Sequence, residues 1–202
     1  IFSTILSGAT LHIIPKMLFS FPVKLLEFLK EKEVNTIYWV PSALSIVANL
    51  GALKEVDMQN LKTILFAGET MPTKQLNIWK KYIPDAVYAN LFGPTEITDI
   101  GIYYVVDRDF SNDEPIPIGK PCDNVDAIVI NKEGRLVEKV GEVGELLIRG
   151  SFLACGYYNN PQKTKEAFIQ NPLNNNYPET VYCTGDLVYW NERHELVYVS
   201  RK

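Results

Sequence analysis

Thr36-Ile37-Tyr38-Trp39-Val40-Pro41-Ser42, answered downstream by Leu61-Lys62-Thr63-Ile64-Leu65-Phe66-Ala67, decides the fold class of this 202-residue chain. Both runs are short and rich in β-branched and aromatic residues, so each predicts a strand. Pro41 closes the first, and Ser42 is the expected N-cap of a helix reaching about Leu53. Working outward, Thr73 to Tyr82 predicts a helix and Ala86 to Phe92 a further strand. Upstream, Val23 to Glu33 carries Leu25, Leu26, Phe28 and Leu29 among lysines and glutamates, which predicts a helix, and Leu11 to Ile14 predicts a strand. Strands alternating with helices of this length predict right-handed β-α-β units and a largely parallel sheet. Ligands of such sheets gather at the carboxyl ends of the strands.

The character changes near Asp107, after which strand signals dominate. Val125 to Ile130 with the turn Asn131-Lys132-Glu133-Gly134, then Gly144 to Gly150, Leu187 to Trp190 and Glu195 to Val199, predict antiparallel strands joined by hairpins. A short helix is expected after Pro161, and Asn171 to Thr180 reads as a surface loop. The expected division is an α/β part over 1–106 and a β-rich part over 107–202.

With 47% hydrophobic and 22% charged residues the chain can bury a substantial core. A formal charge of −4 leaves no basic stripe for a phosphate backbone, which argues against nucleic acid as partner. Apolar stretches are interrupted well short of bilayer length, so no membrane helix is expected. Cys122, Cys155 and Cys183 are odd in number and widely spaced, with only His12 and His194 nearby in type. They predict neither a disulfide framework nor a zinc cage, but thiols in a reducing cytoplasm. The opening on Ile1-Phe2 and the stop at Ser200-Arg201-Lys202 read as the marks of a piece of a longer chain.

No G-x-x-x-x-G-K-[S/T] and no G-x-G-x-x-G occurs, so any nucleotide site must be built another way. Four loop signatures sit at the ends of predicted strands. Ala67-Gly68-Glu69 offers a close backbone approach to a flat ligand, or simply an acid at a helix start. Asn90-Leu91-Phe92-Gly93-Pro94-Thr95-Glu96 combines a base-edge partner, a stacking ring, a hydroxyl donor and a magnesium-binding carboxylate, with a Gly-Pro turn as the structural alternative. Gly144 to Gly150 followed by Gly156-Tyr157-Tyr158 reads as a strand with close turns. Tyr182-Cys183-Thr184-Gly185-Asp186 places an aspartate where it can accept both hydroxyls of a ribose, a plain turn being the alternative.

Taken in this order, the four signatures resemble the core motifs of the adenylate-forming superfamily, the AMP-dependent synthetases and ligases. That group includes peptide-synthetase adenylation domains, D-alanine-carrier-protein ligases, acyl-CoA synthetases and firefly luciferase. The resemblance spans essentially the whole chain, with Phe92 where the family usually has tyrosine. It implies a mixed α/β fold, a parallel β-α-β layer followed by a distorted barrel-like β-rich subdomain, belonging to the large amino-terminal domain of such an enzyme. It also implies ATP or AMP with magnesium as ligands. Asn90 and Phe92 would then hold adenine beside Gly93, Thr95 the α-phosphate, and Glu96 the magnesium ion. Gly68 and Glu69 would line the adenine side, and Asp186 would bind the ribose. Tyr198 and Arg201 resemble the family's Tyr-x-Gly-Arg at the hinge, with Ser200 replacing the glycine.

The family's phosphate-gripping loop is expected before Ile1 and its catalytic lysine after Lys202, so this stretch alone is expected not to catalyse adenylation. Within the family the spacing resembles amino-acid adenylation domains, whose acceptor is a carrier-protein phosphopantetheine thiol. By position, Tyr38, Leu65, Ala67, Leu91, Asp99 and Ile100 would surround the substrate side chain. An acyl- or aryl-CoA synthetase, a catalytically inert nucleotide-binding domain and a purely structural domain are the competing readings.

Overall fold

Leucines at helical spacing decide which side of each helix in the first hundred residues turns inward, and the computed structural model, which describes residues 2–202, shows the outcome. The chain divides into two compact units, one of residues up to Tyr88 with Phe110–Asp113, the other of Ala89–Asp109 with Glu114–Lys202. The division falls inside a strand, ahead of the change in composition near Asp107 that marked the expected boundary of 106/107.

In the first unit, α1 (Phe2–Leu6) precedes α2 (Pro22–Glu31), which opens on Pro22, where a missing N–H costs nothing. Helix α2 buries Leu25, Leu26 and Leu29. Strand β1 (Thr36–Trp39) and strand β2 (Thr63–Ala67) pair in parallel, with Ile37 opposite Ile64 and Trp39 opposite Phe66. Helix α3 (Pro41–Asn49) lies between them in sequence, so the pair forms a β-α-β unit. Helix α4 (Thr73–Tyr82) buries Trp79 completely, and the indole N–H donates to the Leu44 carbonyl of α3 at 2.9 Å. That bond keeps the one polar atom of the largest core side chain from being stranded, which would cost roughly 1–3 kcal/mol.

Two expectations fail here. Leu11 to Ile14 forms no strand: Leu11 and Ile13 are exposed, and Pro15 turns the chain into a 3-10 helix over Lys16–Ser20. Alternation alone makes no strand without a partner edge. Ser42 does not cap α3 either; the helix starts one residue earlier at Pro41, with Val40 at the cap position.

The second unit receives strand β3 (Val87–Phe92) from Ala89 onward, with β4 (Ile102–Val105) antiparallel to it and β5 (Lys120–Pro121) antiparallel to β4. Its other sheet contains β6 (Val125–Ile130), β7 (Gly144–Gly150), β8 (Phe168–Gln170), β9 (Thr180–Trp190) and β10 (Leu196–Arg201). The order is β10-β9-β7-β6, all antiparallel, with β8 also on β9. Helix α5 (Pro161–Ala167) is capped by the Asn160 side chain, which accepts the Lys163 N–H at 3.0 Å. Register shifts at Glu145/Leu147 and Tyr198/Ser200 bend the sheet, as bulges do. The core inside the curl contains Ile102, Ile118, Val129, Leu146, Ile148, Tyr182, Val188 and Leu196. No described helix is long and apolar enough to cross a membrane.

Two ties hold this unit closed. The Arg108 guanidinium forks onto the buried Glu195 carboxylate at 3.2 and 3.1 Å, fixing the β9–β10 hairpin. Gly119 bridges Leu196, accepting its N–H at 2.8 Å and donating back at 3.2 Å. Gly119 sits at φ 96°, and a Cβ there would lie 2.0 Å from the Tyr103 carbonyl oxygen. Gly119→Ala is therefore expected to destabilise the protein by roughly 2 kcal/mol or more, measured by chemical denaturation. A loss below about 0.5 kcal/mol would show that the close approach is not a constraint.

Candidate functional site

Strand β9 runs through the richest of the four sequence signatures, and alternate positions along it, Tyr182, Thr184, Asp186 and Val188, are buried. Thr and Asp at inward positions are costly unless bonded. The Thr184 hydroxyl donates to the Leu146 carbonyl at 2.8 Å, and its oxygen accepts the Asp186 N–H at 3.0 Å. The Asp186 carboxyl, 8% exposed, is pushed above the usual aspartate range by burial, against the opposing charge of Arg201 and the Thr184 hydrogen bond. The β9–β10 register places Arg201 directly opposite Asp186, so pairing brings together two residues the sequence singled out separately. Tyr198, three residues earlier on β10, stands opposite Val188. Gly185, at φ 75°, is the strand position where the chain departs from regular extension.

The loop after β3 holds the other half of the charge. Gly93 has no room for a side chain, since a Cβ would fall 1.7 Å from the Asp99 carbonyl oxygen. Thr98 and Asp99 both occupy the left-handed region, at φ 58° and 77°. Strain of that kind persists only where neighbours impose it. Here the Thr98 hydroxyl donates to the Phe152 carbonyl at 2.7 Å and the Ala154 N–H donates to the Glu96 carbonyl at 2.8 Å. Glu96 lies in a one-turn 3-10 helix, Thr95–Ile97, and its carboxylate accepts the Tyr157 hydroxyl at 2.5 Å. Partial burial works against its ionisation, but the Tyr157 hydrogen bond, with Tyr182 and the charge of Lys163 acting in the same sense, holds it below the ordinary glutamate range. Tyr182 and Asp186 lie on the same buried face of β9.

Other expected site residues take plainer positions. One amide N–H of Asn90, buried in β3, is committed to the Pro117 carbonyl at 2.9 Å. Phe92 packs partly against the core of its unit, Thr95 is exposed, and Leu91 stands opposite Tyr103. Asp99 is exposed and Ile100 half-buried in the loop. In the first unit, the Glu69 carboxylate accepts the Ser42 N–H at 2.8 Å and the Ser42 hydroxyl at 3.1 Å, sitting on the first turn of α3 as a helix-start acid does. Gly68 precedes it at φ 89°. Tyr38 stands opposite Leu65 in the β1–β2 register, exposed where Ala67 is buried.

Arg149 of the third signature is structural, pairing with Asp126 across β6–β7 at 2.6 Å and with Glu179. Sequence reasoning quoted Tyr157 and Tyr182 within its signatures without giving either a role, and passed over Lys163. Their phenols and charge lie about sixty residues or more from Glu96, and only a doubled tyrosine and a tyrosine before Thr-Gly-Asp signalled them. Among the described residues no three His, Cys, Asp or Glu side chains cluster as a metal cage.

Comparison with known proteins extends this picture. Over 197 residues the chain is 37% identical to the delta-poly-L-ornithine synthetase of Acinetobacter baumannii, covering 97% of this chain and 14% of that protein. It is 30% identical to the L-proline–[L-prolyl-carrier protein] ligase of Streptomyces coelicolor, covering 100% of this chain and 37% of that one. Across the curated relatives compared, the chain spans between 3% and 37% of their lengths. The crystal structure of the Vibrio cholerae adenylation domain AlmE in complex with glycyl-adenosine-5'-phosphate superposes with a TM-score of 0.84 at 26% identity, over 100% of this chain and 37% of that one. The mixed α/β architecture with its curled antiparallel sheet is that of adenylation-domain structures. Residues 1–158 match the family model described as AMP-binding enzyme, and with more than three quarters of its length so matched the chain belongs to that family of adenylate-forming ligases.

Proposed function

We propose that this chain is the nucleotide-holding part of a longer ATP-dependent ligase that adenylates the carboxylate of an amino acid and passes the acyl group to a carrier-protein thiol. The observation that carries the reading is the pair of carboxylates in one folded unit, buried Asp186 facing Arg201 and half-buried Glu96 accepting the Tyr157 hydroxyl. The relatives named for ornithine and proline support an amino acid as the acid activated, and the carrier-protein ligase supports the acceptor.

In this reading Asp186 accepts the two ribose hydroxyls, and its poor solvation strengthens each charge-assisted bond. Arg201 lies beside it for the same sugar. The ring of Phe92 stacks on adenine, with Asn90 and Gly93 beside the base, and Thr95 donates to the α-phosphate. The acid's carboxylate oxygen attacks the α-phosphorus, the bond to the bridging oxygen breaks, and pyrophosphate leaves with that electron pair. Glu96 fits a magnesium ligand, since that ion is usually held by one or two carboxylates together with substrate phosphates and not by an all-protein cage. A magnesium ion there supplies charge neutralisation on the polyphosphate. Leu91, Asp99 and Ile100 are assigned to the side chain of the acid.

ATP–pyrophosphate exchange by the full-length protein, run with amino acids, fatty acids and aryl acids, tests the reading. One amino acid is expected to drive exchange; response to fatty or aryl acids only would move the protein to CoA-synthetase chemistry. Asp186→Ala is expected to weaken ATP binding, and Glu96→Gln to depress the rate more than the binding. Exchange left intact by both would refute the site.

Asp186 further predicts a trade between stability and function. Its carboxyl titrates higher folded than unfolded, so the folded state binds the proton more tightly and the ionised group destabilises the fold at neutral pH. That penalty fades as pH falls through the raised value toward the unfolded one. Asp186→Asn is thus expected to denature later than wild type at neutral pH, with the gap closing below the ordinary aspartate range, while ATP binding is lost. Equal stabilities at neutral pH would contradict the desolvation of this carboxylate by burial.

A further inference from the structure

A glutamate in a three-residue 3-10 turn has three side-chain torsions and no helix to order it, yet Glu96 is held at both ends. Its backbone carbonyl accepts the Ala154 N–H at 2.8 Å, and its carboxylate accepts the Tyr157 hydroxyl at 2.5 Å. Tyr182, 2% exposed, lies behind Tyr157 with Phe168 packed against both rings, and it works in the same sense as the Tyr157 hydroxyl, lowering the affinity of the Glu96 carboxylate for a proton.

Tyr157 is in turn fixed from several sides. Its N–H donates to the Thr164 hydroxyl oxygen at 2.9 Å, and that hydroxyl donates to the Asn160 carbonyl at 2.9 Å. Gly156, at φ 134°, lets the backbone lie against α5, where a Cβ would meet Thr164 Cγ2 at 2.4 Å. The Lys163 ammonium sits 4.3 Å from the centre of the Tyr157 ring. Phe168 packs edge-on against Tyr157 at 5.9 Å and tilted against Tyr182 at 5.1 Å. A whole turn, a helix start and a buried aromatic cluster thus converge on the orientation of one carboxylate. Nothing in core packing requires a hydroxyl at either ring, because phenylalanine would fill the same space.

We infer that Tyr157, backed by Tyr182, is a positioning residue for Glu96, holding the carboxylate in the one orientation in which it meets a divalent cation carried by a nucleoside triphosphate. Metal ligands usually owe their orientation to such hydrogen-bonded partners behind them, and loss of a partner weakens the metal without touching it. The inference rests on the reading of Glu96 as the metal ligand.

The test uses manganese as the probe. Its binding to the full-length protein is followed by electron paramagnetic resonance in the presence of a non-hydrolysable ATP analogue, alongside thermal melting. Glu96→Gln and Tyr157→Phe are each expected to weaken manganese binding by about tenfold or more, with Tyr182→Phe acting in the same direction. Tyr157→Phe is expected to melt close to wild type, because the ring keeps its contacts, and to add nothing on top of Glu96→Gln. In exchange assays the magnesium concentration for half-maximal rate should rise in Tyr157→Phe, while the KM for the acid stays unchanged. If Glu96→Gln weakens manganese but Tyr157→Phe and Tyr182→Phe do not, or if Tyr157→Phe weakens it equally in the Glu96→Gln background, positioning is overturned. If Glu96→Gln itself leaves manganese binding unchanged, the assignment of Glu96 as ligand fails instead.

Discussion

The Thr184 hydroxyl inside the curled sheet joins two roles that the second unit cannot separate. By donating to the Leu146 carbonyl it ties β9 to β7 at a bulge where the regular ladder is interrupted. By accepting the Asp186 N–H it sets the backbone from which the buried carboxylate projects. A net hydrogen bond is worth only about 1 kcal/mol, but leaving a buried carbonyl or amide unpaired costs more, so the position tolerates few substitutes. Strand β9 pairs with β7, β8 and β10, and its inward face carries Tyr182, Thr184, Asp186 and Val188 in alternation. Core, buried carboxylate and the Tyr182 ring therefore share one strand face.

Much of this was legible in the sequence where one face of an element is apolar. The spacing of Leu25, Leu26 and Leu29 gave α2 to within two residues of either end, Thr73–Tyr82 formed as expected, and the alternation of Gly144–Gly150 became β7. Hydrophobic periodicity reports burial directly. It failed where local pattern and partner disagree: Leu11 to Ile14 alternates but gains no ladder, and Ser42 suits a cap but Pro41 claims the first turn. β4 escaped notice although Ile102 to Val106 is a run of β-branched and aromatic residues, and β5 because its two residues are strand only through pairing with β4.

The candidate site was readable in its charged residues and silent about what orients them. Asp186 and Arg201 were named separately, but that they face each other follows from a β9–β10 register containing a shift that no spacing rule predicts. Tyr157 looked like part of a turn, since a phenol's partner some sixty residues away leaves no local trace. Glu69 read equally as a base-lining residue or a helix-start acid, and its carboxylate in fact rests on Ser42 at the start of α3. The strained Thr98–Asp99 pair was invisible too, because left-handed backbone at threonine is imposed by the Phe152 and Gly93 contacts and is not a preference of the residue.

Two carboxylates in one unit are driven in opposite directions, and the opposition matches the two tasks proposed for them. Asp186 is desolvated with only partial compensation from Arg201, so its affinity for a proton rises. The same poor solvation makes it a strong acceptor for neutral hydroxyls, which replace the water it has lost. Glu96 keeps more contact with solvent and is given phenol donors and a nearby ammonium, so it stays ionised. A carboxylate that must meet a cation has to carry full charge in a fixed direction, whereas one that must hold a sugar gains from being starved of other partners. Environment, and not residue type, separates the two proposed roles: the Tyr157 hydroxyl favours the ionised form of Glu96, whereas burial works against ionisation of Asp186.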